Sequence, residues 1–257
     1  MRTTFNLKLA KYYKSPSQQI RIMSEAWVAS EVYCPGCGLN VEQYEPGRPV
    51  ADFFCAGCRE DYELKSKKSK IGRKIIDGAF DSMMQRVGSD TAPNFFMLTY
   101  EPAVFEVTNL MVIPRHFFSH QIIEKRKPLA GTARRAGWVG CNICINRIPD
   151  SGKLYYIKQN KIIPKELVIR RFNKTAFLRE SRNTESRGWL IDIMSCLDAL
   201  GKQEFSLQDV YKFESVLAAG HPSNKHIKDK IRQQLQVLRD RGYLEFVSPG
   251  RYRLVQT

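Results

Sequence analysis

The chain contains 257 residues, of which 43% are hydrophobic and 26% charged, and these fractions exclude a disordered protein. Its length suits one large or two modest domains. No apolar run approaches the roughly 20 residues of a membrane span, and residues 1–6 lack the apolar stretch of a signal peptide. We therefore expect a cytoplasmic protein without a membrane partner.

The charge of the chain favours an anionic partner. Lys and Arg number 41 against 26 Asp and Glu, which gives a formal net charge of +15. Nucleic acid is the leading candidate for this partner. The alternatives are an anionic membrane surface and an excess of charge that serves solubility alone. The seven cysteines of a cytoplasmic chain indicate metal ligands or buried thiols rather than disulfides.

The N-terminal part alternates helical and extended segments. Residues 17–31 carry apolar side chains at helical spacing and predict a helix. Short apolar runs at 50–54, 95–100 and 110–113 predict strands, and residues 75–87 predict a further helix. Strands that alternate with helices are typical of a mixed α/β core.

Four cysteines form two C-x2-C pairs, Cys34 with Cys37 and Cys55 with Cys58, and the segment 38–54 separates the pairs. Each pair has a glycine before its second cysteine, which lets the chain turn tightly so that both sulfurs face one ion. This spacing predicts a tetrahedral Zn²⁺ site. Because four thiolates leave no position open for a substrate, we expect the zinc to be structural.

An acidic motif lies among and just after these cysteines. Asp52 is followed by Glu63-Leu64-Lys65, the Asp and Glu-x-Lys pattern of metal-dependent nucleases. On a strand, Glu63 and Lys65 share one face while Leu64 points to the core. If Asp52 begins the neighbouring strand, the two carboxylates and the Leu64 carbonyl suit Mg²⁺, and Lys65 can stabilise the attacking water or the developing charge. The alternative is an exposed strand face without catalytic function.

Two basic runs flank this motif. The segment 182–257 carries a net charge of +3, so the remaining +12 lies in the segment 1–181. These runs predict a phosphate-binding groove, against the alternative of a solvated face. Their members are Lys65, Lys67, Lys68, Lys70, Arg73 and Lys74 in the first run, and Lys125, Arg126, Lys127, Arg134 and Arg135 in the second.

The polar stretch 181–188 predicts a linker, so we place one domain at residues 1–181 and another at 182–257. Three helices are expected in the second domain. The first lies around 189–200, the second is capped by Ser206 with Asp209, and the third is capped by Asn224. A hairpin across residues 243–255 follows, and three helices with a hairpin predict a winged helix.

The winged helix presents basic side chains where DNA is expected. A third helix in the major groove would use its outer cations, and the hairpin would add two arginines. The alternative is a winged helix used only for protein contacts. The predicted DNA-binding residues of this domain are Lys225, Lys228, Arg232, Arg251 and Arg253.

Three further cysteines have no partner pair for a second metal site. Cys141 and Cys144 form a lone C-x2-C, and Cys196 lies on a predicted helix face. We expect all three to be buried apolar thiols.

The chain resembles the DpnI-like methylation-dependent restriction endonucleases, within the wider PD-(D/E)xK nuclease group. The resemblance covers nearly the whole chain and both cysteine pairs, with matches at residues 48–53, 63–68, 126–129, 132–138 and 227–238. It implies a PD-(D/E)xK core joined to a winged helix and Mg²⁺-dependent cleavage of both DNA strands. It implies GATC with N6-methyladenine as the site, and the catalytic roles fall on Asp52, Glu63 and Lys65.

The resemblance leaves open which residues sense methylation. Besides the winged helix, Trp138 is a candidate, because it follows Arg134 and Arg135 and its ring could cover methyl groups in the major groove. A core tryptophan is the alternative. Lys67 and Lys68 complete the DNA-binding residues that we expect in the nuclease domain.

Two other functions remain open on the sequence, a non-enzymatic zinc and winged-helix DNA-binding regulator and a repair nuclease for branched DNA. A regulator has no need of Glu63 and Lys65 beside Asp52, and it usually dimerises. No heptad seam for a coiled-coil dimer is present, so we expect a monomer, and we expect no nucleotide cofactor.

Overall fold

The computed structural model describes residues 1–45, 51–68, 70–87, 89, 92–180 and 184–255. The N-terminal part contains α1 (Pro16–Glu31), β1 (Glu42–Gln43), β2 (Phe53–Phe54), β3 (Asp61–Lys68), β4 (Lys74–Ala79), α2 (Phe80–Val87), β5 (Asn94–Glu101), β6 (Glu106–Ile113), β7 (Ile123–Lys125), β8 (Gly140–Cys144), β9 (Leu154–Lys158), β10 (Lys161–Ile162) and α3 (Lys165–Lys174). The C-terminal part contains α4 (Thr184–Leu200), β11 (Glu204–Ser206), α5 (Leu207–Tyr211), α6 (Glu214–Gly220), α7 (Ile227–Asp240), β12 (Leu244–Ser248) and β13 (Arg251–Leu254).

A seven-stranded sheet forms the centre of the N-terminal part, in the order β1-β2-β3-β5-β6-β9-β10. Strands β3 and β5 pair in parallel, and the other neighbours are antiparallel. Every residue of β5 before its terminal Glu101 is buried, as expected of a strand covered on both faces. The predicted strands at 95–100 and 110–113 are confirmed within β5 and β6.

The two faces of this sheet pack against different layers. On one face, Trp27 of α1 and Phe172 of α3 share a buried apolar cluster with Phe96 and Leu98. On the other face, Phe95 and its neighbours join a cluster that continues through a small sheet into the C-terminal part. The central sheet is therefore sandwiched, and its second face shares one continuous core with the C-terminal part.

The small sheet has three antiparallel strands in the order β4-β8-β7. Our prediction of one helix at 75–87 is wrong for its first half, because Lys74–Ala79 is the strand β4 and the helix begins only at Phe80. Ile75 and Asp77 alternate with exposed neighbours along β4, and pairing with β8 outweighs the local helical pattern. The register shifts between Asp77 and Ala79, at Gly78.

The C-terminal part is a winged helix, as predicted. Strand β13 pairs with β11 on one side and β12 on the other, and the β12–β13 hairpin turns at Gly250, whose φ is 72°. Ser206 and Asp209 form the predicted reciprocal cap of α5. The predicted second helix is two helices, since α5 ends at Tyr211 and α6 begins at Glu214.

The third helix begins later than predicted. His226 occupies the N-terminal position of α7, and the Asn224 side chain accepts the His226 backbone N–H at 2.8 Å. Asn224 therefore closes a turn before the helix instead of capping it.

The predicted linker is shorter than 181–188. Residues 184–188 form the first turns of α4, while 181–183 lie outside the described residues. Residues 48–50 of the stretch before Asp52 also lie outside the described residues. The predicted strand at 50–54 is too long, because only Phe53–Phe54 form β2 while Ala51 and Asp52 precede it. Among the described helices, none combines the length and the hydropathy that a membrane crossing requires.

Candidate active site and cysteine cluster

Strand β3 places Glu63 and Lys65 on one face, as the alternation of a strand requires. Leu64, between them, packs on the opposite side against the cluster that contains Trp27. The Glu63 and Lys65 side chains meet, with Oε1 of Glu63 2.7 Å from Nζ of Lys65. Both side chains keep part of their surface exposed, so a substrate can reach them.

Asp52 is held against the same strand by two hydrogen bonds. Its backbone N–H donates to the Tyr62 carbonyl at 2.9 Å, and its Oδ2 accepts the Leu64 N–H at 2.7 Å. Asp52 immediately precedes β2, which pairs antiparallel with β3. The structure therefore places Asp52 against the part of β3 that carries Glu63 and Lys65.

Two charged residues outside the predicted Asp and Glu-x-Lys motif complete this cluster. Oδ1 of Asp77 lies 2.9 Å from Lys65 Nζ, and Arg86 of α2 lies 3.7 Å from Glu63 Oε2. The predicted helix at 75–87 gave no reason to place Asp77 in the site. In the strand β4, the Asp77 side chain turns toward Lys65. The sequence carries no signal for this strand, because one of its buried residues is the charged Asp77 while the apolar Ile76 is exposed.

Burial and neighbouring charges oppose one another in this cluster. Burial raises the pKa of Glu63, Asp77 and Asp52 raise it further, and Lys65 only partly offsets them. For Lys65, burial lowers the pKa, but Glu63 and Asp77 outweigh burial and raise it above its usual value. The ammonium thus stays charged, and crowded carboxylate oxygens of this kind suit a hard divalent cation.

The four predicted cysteines come together in one cluster, in which their sulfur atoms all lie within 4.8 Å of one another. Sγ of Cys34 is 3.3 Å from Sγ of Cys58, and Sγ of Cys37 is 3.4 Å from Sγ of Cys55. A tetrahedral site with Zn–S bonds of about 2.3 Å has sulfur–sulfur edges of about 3.8 Å. The thiol donor set and its dimensions fit a zinc ion, so this cluster could bind zinc.

The cysteine cluster is joined to the acidic cluster through β3. The Tyr62 hydroxyl donates to Cys34 Sγ at 3.1 Å, and Tyr62 directly precedes Glu63. Cys55 lies shortly after Asp52 in the same short segment. Cys141, Cys144 and Cys196 are buried, as predicted, and do not join the cluster.

Residues 1–181 match the Dam-replacing family, DpnI, and residues 185–254 match the Dam-replacing HTH domain. The chain belongs to the Dam-replacing family. Membership of this family indicates a restriction endonuclease, and its helix–turn–helix domain indicates DNA as the partner.

In this Dam-replacing chain, the predicted DNA-binding residues of the winged helix are exposed. Lys228 lies 3.4 Å from Glu214, and Arg232 donates to Asp229 and to the Tyr211 hydroxyl. Arg253 pairs with Glu204 and Glu245 across the sheet. These surface pairs are weak and can exchange for phosphates, while Lys225 and Arg251 are also exposed.

In the N-terminal part, the predicted DNA-binding residues lie on β3 and between β7 and β8. Lys67 is half-buried and Lys68 exposed, and both follow Lys65 along β3. Arg134 and Arg135 are exposed, and the Arg135 guanidinium lies 4.8 Å from the centre of the Trp138 ring. Trp138 itself is half-buried and, among the described residues, belongs to neither buried apolar cluster.

Proposed function

We propose that this chain is a Mg²⁺-dependent endonuclease that cleaves both strands of methylated DNA at GATC sites carrying N6-methyladenine. The observation that carries the proposal is that Asp52 is bonded to β3 at Leu64, between the paired side chains of Glu63 and Lys65. A chain of the Dam-replacing family that only held DNA would not need these side chains together. Residues 1–181 would form the nuclease domain and 182–257 the winged helix.

Each residue of the cluster has a separate role in this proposal. Asp52 and Glu63, with the Leu64 carbonyl, would hold Mg²⁺, which supplies an activated water and neutralises the scissile phosphate. Lys65 would stabilise the developing negative charge, since its ammonium stays protonated between carboxylates. The backbone bond from Leu64 to Asp52 keeps that carboxylate turned toward the strand.

The remaining residues would hold and read the DNA. Exposed cations neutralise phosphates irrespective of sequence, so they supply affinity and position the duplex. We assign this role to Lys67, Lys68, Arg134, Arg135, Lys225, Lys228, Arg232, Arg251 and Arg253. Methyl reading is assigned to Trp138 and to α7, one in each domain.

The experiment that tests the function compares plasmids. Fully adenine-methylated and unmethylated plasmid are incubated with the protein and Mg²⁺, with EDTA in a parallel reaction, and separated on a gel. Cleavage of the methylated plasmid alone into fragments bounded by GATC supports the proposal. Binding without cleavage would support a regulator, and cleavage of branched DNA irrespective of methylation would support a repair nuclease.

Variants of the cluster test the assigned chemistry. Asp52→Ala and Lys65→Ala should abolish cleavage, because phosphoryl transfer then lacks a cation ligand or its charge stabilisation. Binding of methylated DNA should persist, since the surface cations and winged helix are intact. Asp81→Asn, which alters an exposed carboxylate of α2, is the matched control and should cleave like the wild type. Cleavage retained by Asp52→Ala would contradict the assignment.

A further inference from the structure

The Lys65 ammonium contacts two carboxylates that come from different sheets. Glu63 lies on β3 of the central sheet, 2.7 Å from Nζ, and Asp77 lies on β4 of the small sheet, 2.9 Å from Nζ. Asp77 falls outside the Asp and Glu-x-Lys pattern, on the strand that follows Lys65 in the chain. The two sheets therefore approach each other at this ion pair.

Asp77 is more deeply buried than its two partners. Its side chain is 4% exposed, against 33% for Lys65 and 17% for Glu63. Its Oδ2 is buried and has no hydrogen-bond partner among the described residues. A buried carboxylate with one unpaired oxygen is costly for the folded state unless a charge compensates it.

The fold does not require an acid at this position. Ile75, two residues earlier on the same face of β4, is buried and apolar. Cys141, which pairs opposite Asp77 on β8, is also buried. An apolar side chain at 77 would continue this surface, so the acid is explained by its contact with Lys65 rather than by packing.

We propose that Asp77 is a positioning residue that holds the Lys65 ammonium at the active site. This inference rests on the proposed function, in which the oxygens of Glu63 are committed to a cation. A Glu63 so engaged cannot remain the full counter-charge of Lys65. Asp77 comes from a separate sheet, is not a ligand in that scheme, and so keeps Nζ in place during the reaction.

The first test measures cleavage and DNA binding separately. Asp77→Asn keeps the shape of the side chain but removes its charge. Its single-turnover rate on methylated duplex should fall about 100-fold, as a misplaced catalytic group would cause. Its dissociation constant for the same duplex should change less than about twofold, because Asp77 is buried and separate from the exposed cations that neutralise phosphates. An unchanged single-turnover rate per folded molecule would overturn the proposal.

A matched control comes from the same small sheet. Glu124 of β7 pairs with Lys74 of β4 at 2.5 Å, at the exposed surface. Glu124→Gln therefore removes a carboxylate–lysine pair that joins strands of this same sheet but does not contact Lys65. Its cleavage rate should equal that of the wild type, and a loss like that of Asp77→Asn would overturn the specific role of Asp77.

A stability cycle tests the coupling without using activity. With Lys65 present, Asp77→Asn should lower the melting temperature. In a Lys65→Met background, where Asp77 is left buried and unpaired, the same substitution should raise it. Equal shifts of the melting temperature in both backgrounds would overturn the proposal. If the wild type fails to cleave DNA, the proposed function fails, while this cycle still reports on the pair of Asp77 and Lys65.

Cleavage by Asp77→Asn is also measured with excess Mg²⁺. Full rescue of cleavage would overturn the proposal, because Asp77 would then be a cation ligand instead of a positioning residue.

Discussion

His116 shows how burial of one side chain controls the response to pH. The residue is 1% exposed, its Nε2 lies 3.0 Å from Thr175 Oγ1, and Arg179 Nε donates to its Nδ1 at 3.2 Å. Burial, and then the charges of neighbouring arginines, lower the pKa of His116 well below its usual value. The imidazole is therefore neutral in the folded protein. The arginines concerned are Arg179, Arg187 and Arg115.

This burial predicts a loss of stability in mild acid. Unfolding returns His116 to water, where its pKa is about 6.5. Since the folded pKa is the lower one, the stabilisation is complete above about pH 6.5 and is lost as the pH falls toward the folded value. Each pH unit in that window should remove up to about 1.4 kcal/mol from the free energy of unfolding.

Urea unfolding at several pH values between 7.5 and 5 checks this expectation. His116→Gln should be less stable than wild type at pH 7.5 but should lose less stability on acidification. His120→Gln, an exposed imidazole of the same segment, is the control and should follow the wild-type curve. Parallel curves for wild type and His116→Gln would show that other groups set the acid sensitivity.

At the scale of elements, the segment between β7 and β8 folds back on itself and presents Trp138 at its base. Leu129 N–H donates to the Trp138 carbonyl at 2.9 Å, and Arg126 N–H donates to the Gly140 carbonyl at 3.0 Å. Trp138 packs so closely on Gly140 that an added Cβ there would lie 2.8 Å from its ring. The absence of a side chain at Gly140 thus allows the ring to lie close against the backbone.

A ring held in this way should contribute to methyl discrimination if the proposed function is correct. An apolar pocket that binds one methyl group discriminates between methylated and unmethylated substrate by about 1–3 kcal/mol, or 10–200-fold in rate. Trp138→Ala should therefore reduce the methylated-to-unmethylated rate ratio about 10-fold or more. Leu129→Ala, in the same segment and 37% exposed, should leave the ratio unchanged. An unchanged ratio in a folded Trp138→Ala variant would assign that ring a structural role.

At the scale of the whole molecule, the cysteine cluster links distant segments of the N-terminal part. Lys165 of α3 donates to the Gly38 carbonyl at 2.7 Å, and the Tyr156 hydroxyl of β9 donates to the Tyr33 carbonyl at 2.9 Å. Tyr62 connects the cluster to β3 and hence to Glu63. An ion bound there would stabilise β3, which carries Glu63 and Lys65, as well as its own loop.

Substitution of an exposed cysteine tests this linkage sharply. Cys37 is exposed. As an ordinary surface substitution, Cys37→Ser would lower the free energy of unfolding by only about 0.5 kcal/mol. If Cys37 binds zinc, Cys37→Ser should lower the free energy of unfolding by several kcal/mol. Each kcal/mol lost lowers the melting temperature by about 2–4 °C in a protein of this size. Wild type should contain one zinc per chain by elemental analysis and Cys37→Ser none.

Cys144→Ala supplies the control for this experiment, because Cys144 is buried but lies outside the cluster. This variant should retain zinc although it loses some packing. Zinc removal from wild type should reduce cleavage together with stability. A metal-free protein that melts and cleaves like the wild type would contradict a structural zinc.

The sequence by itself determined the features whose information is local. The spacing of the cysteine pairs predicted their convergence, and the Glu-x-Lys alternation predicted a shared strand face. The cap at Ser206 and the hairpin after α7 likewise depend on residues a few positions apart. Short-range geometry decides such features, so pattern and spacing suffice to predict them.

Only the tertiary structure decided the features that depend on distant partners. Residues 74–79 become a strand because β8, which lies far along the chain, supplies hydrogen bonds that no local pattern reveals. That pairing turns Asp77 toward Lys65 and so creates an ion pair with a residue outside the Asp and Glu-x-Lys motif. The burial of His116 among arginines from three segments has the same origin. The physical reason is that strand pairing and burial are set by contacts across the fold, which outweigh the local propensity of a short segment.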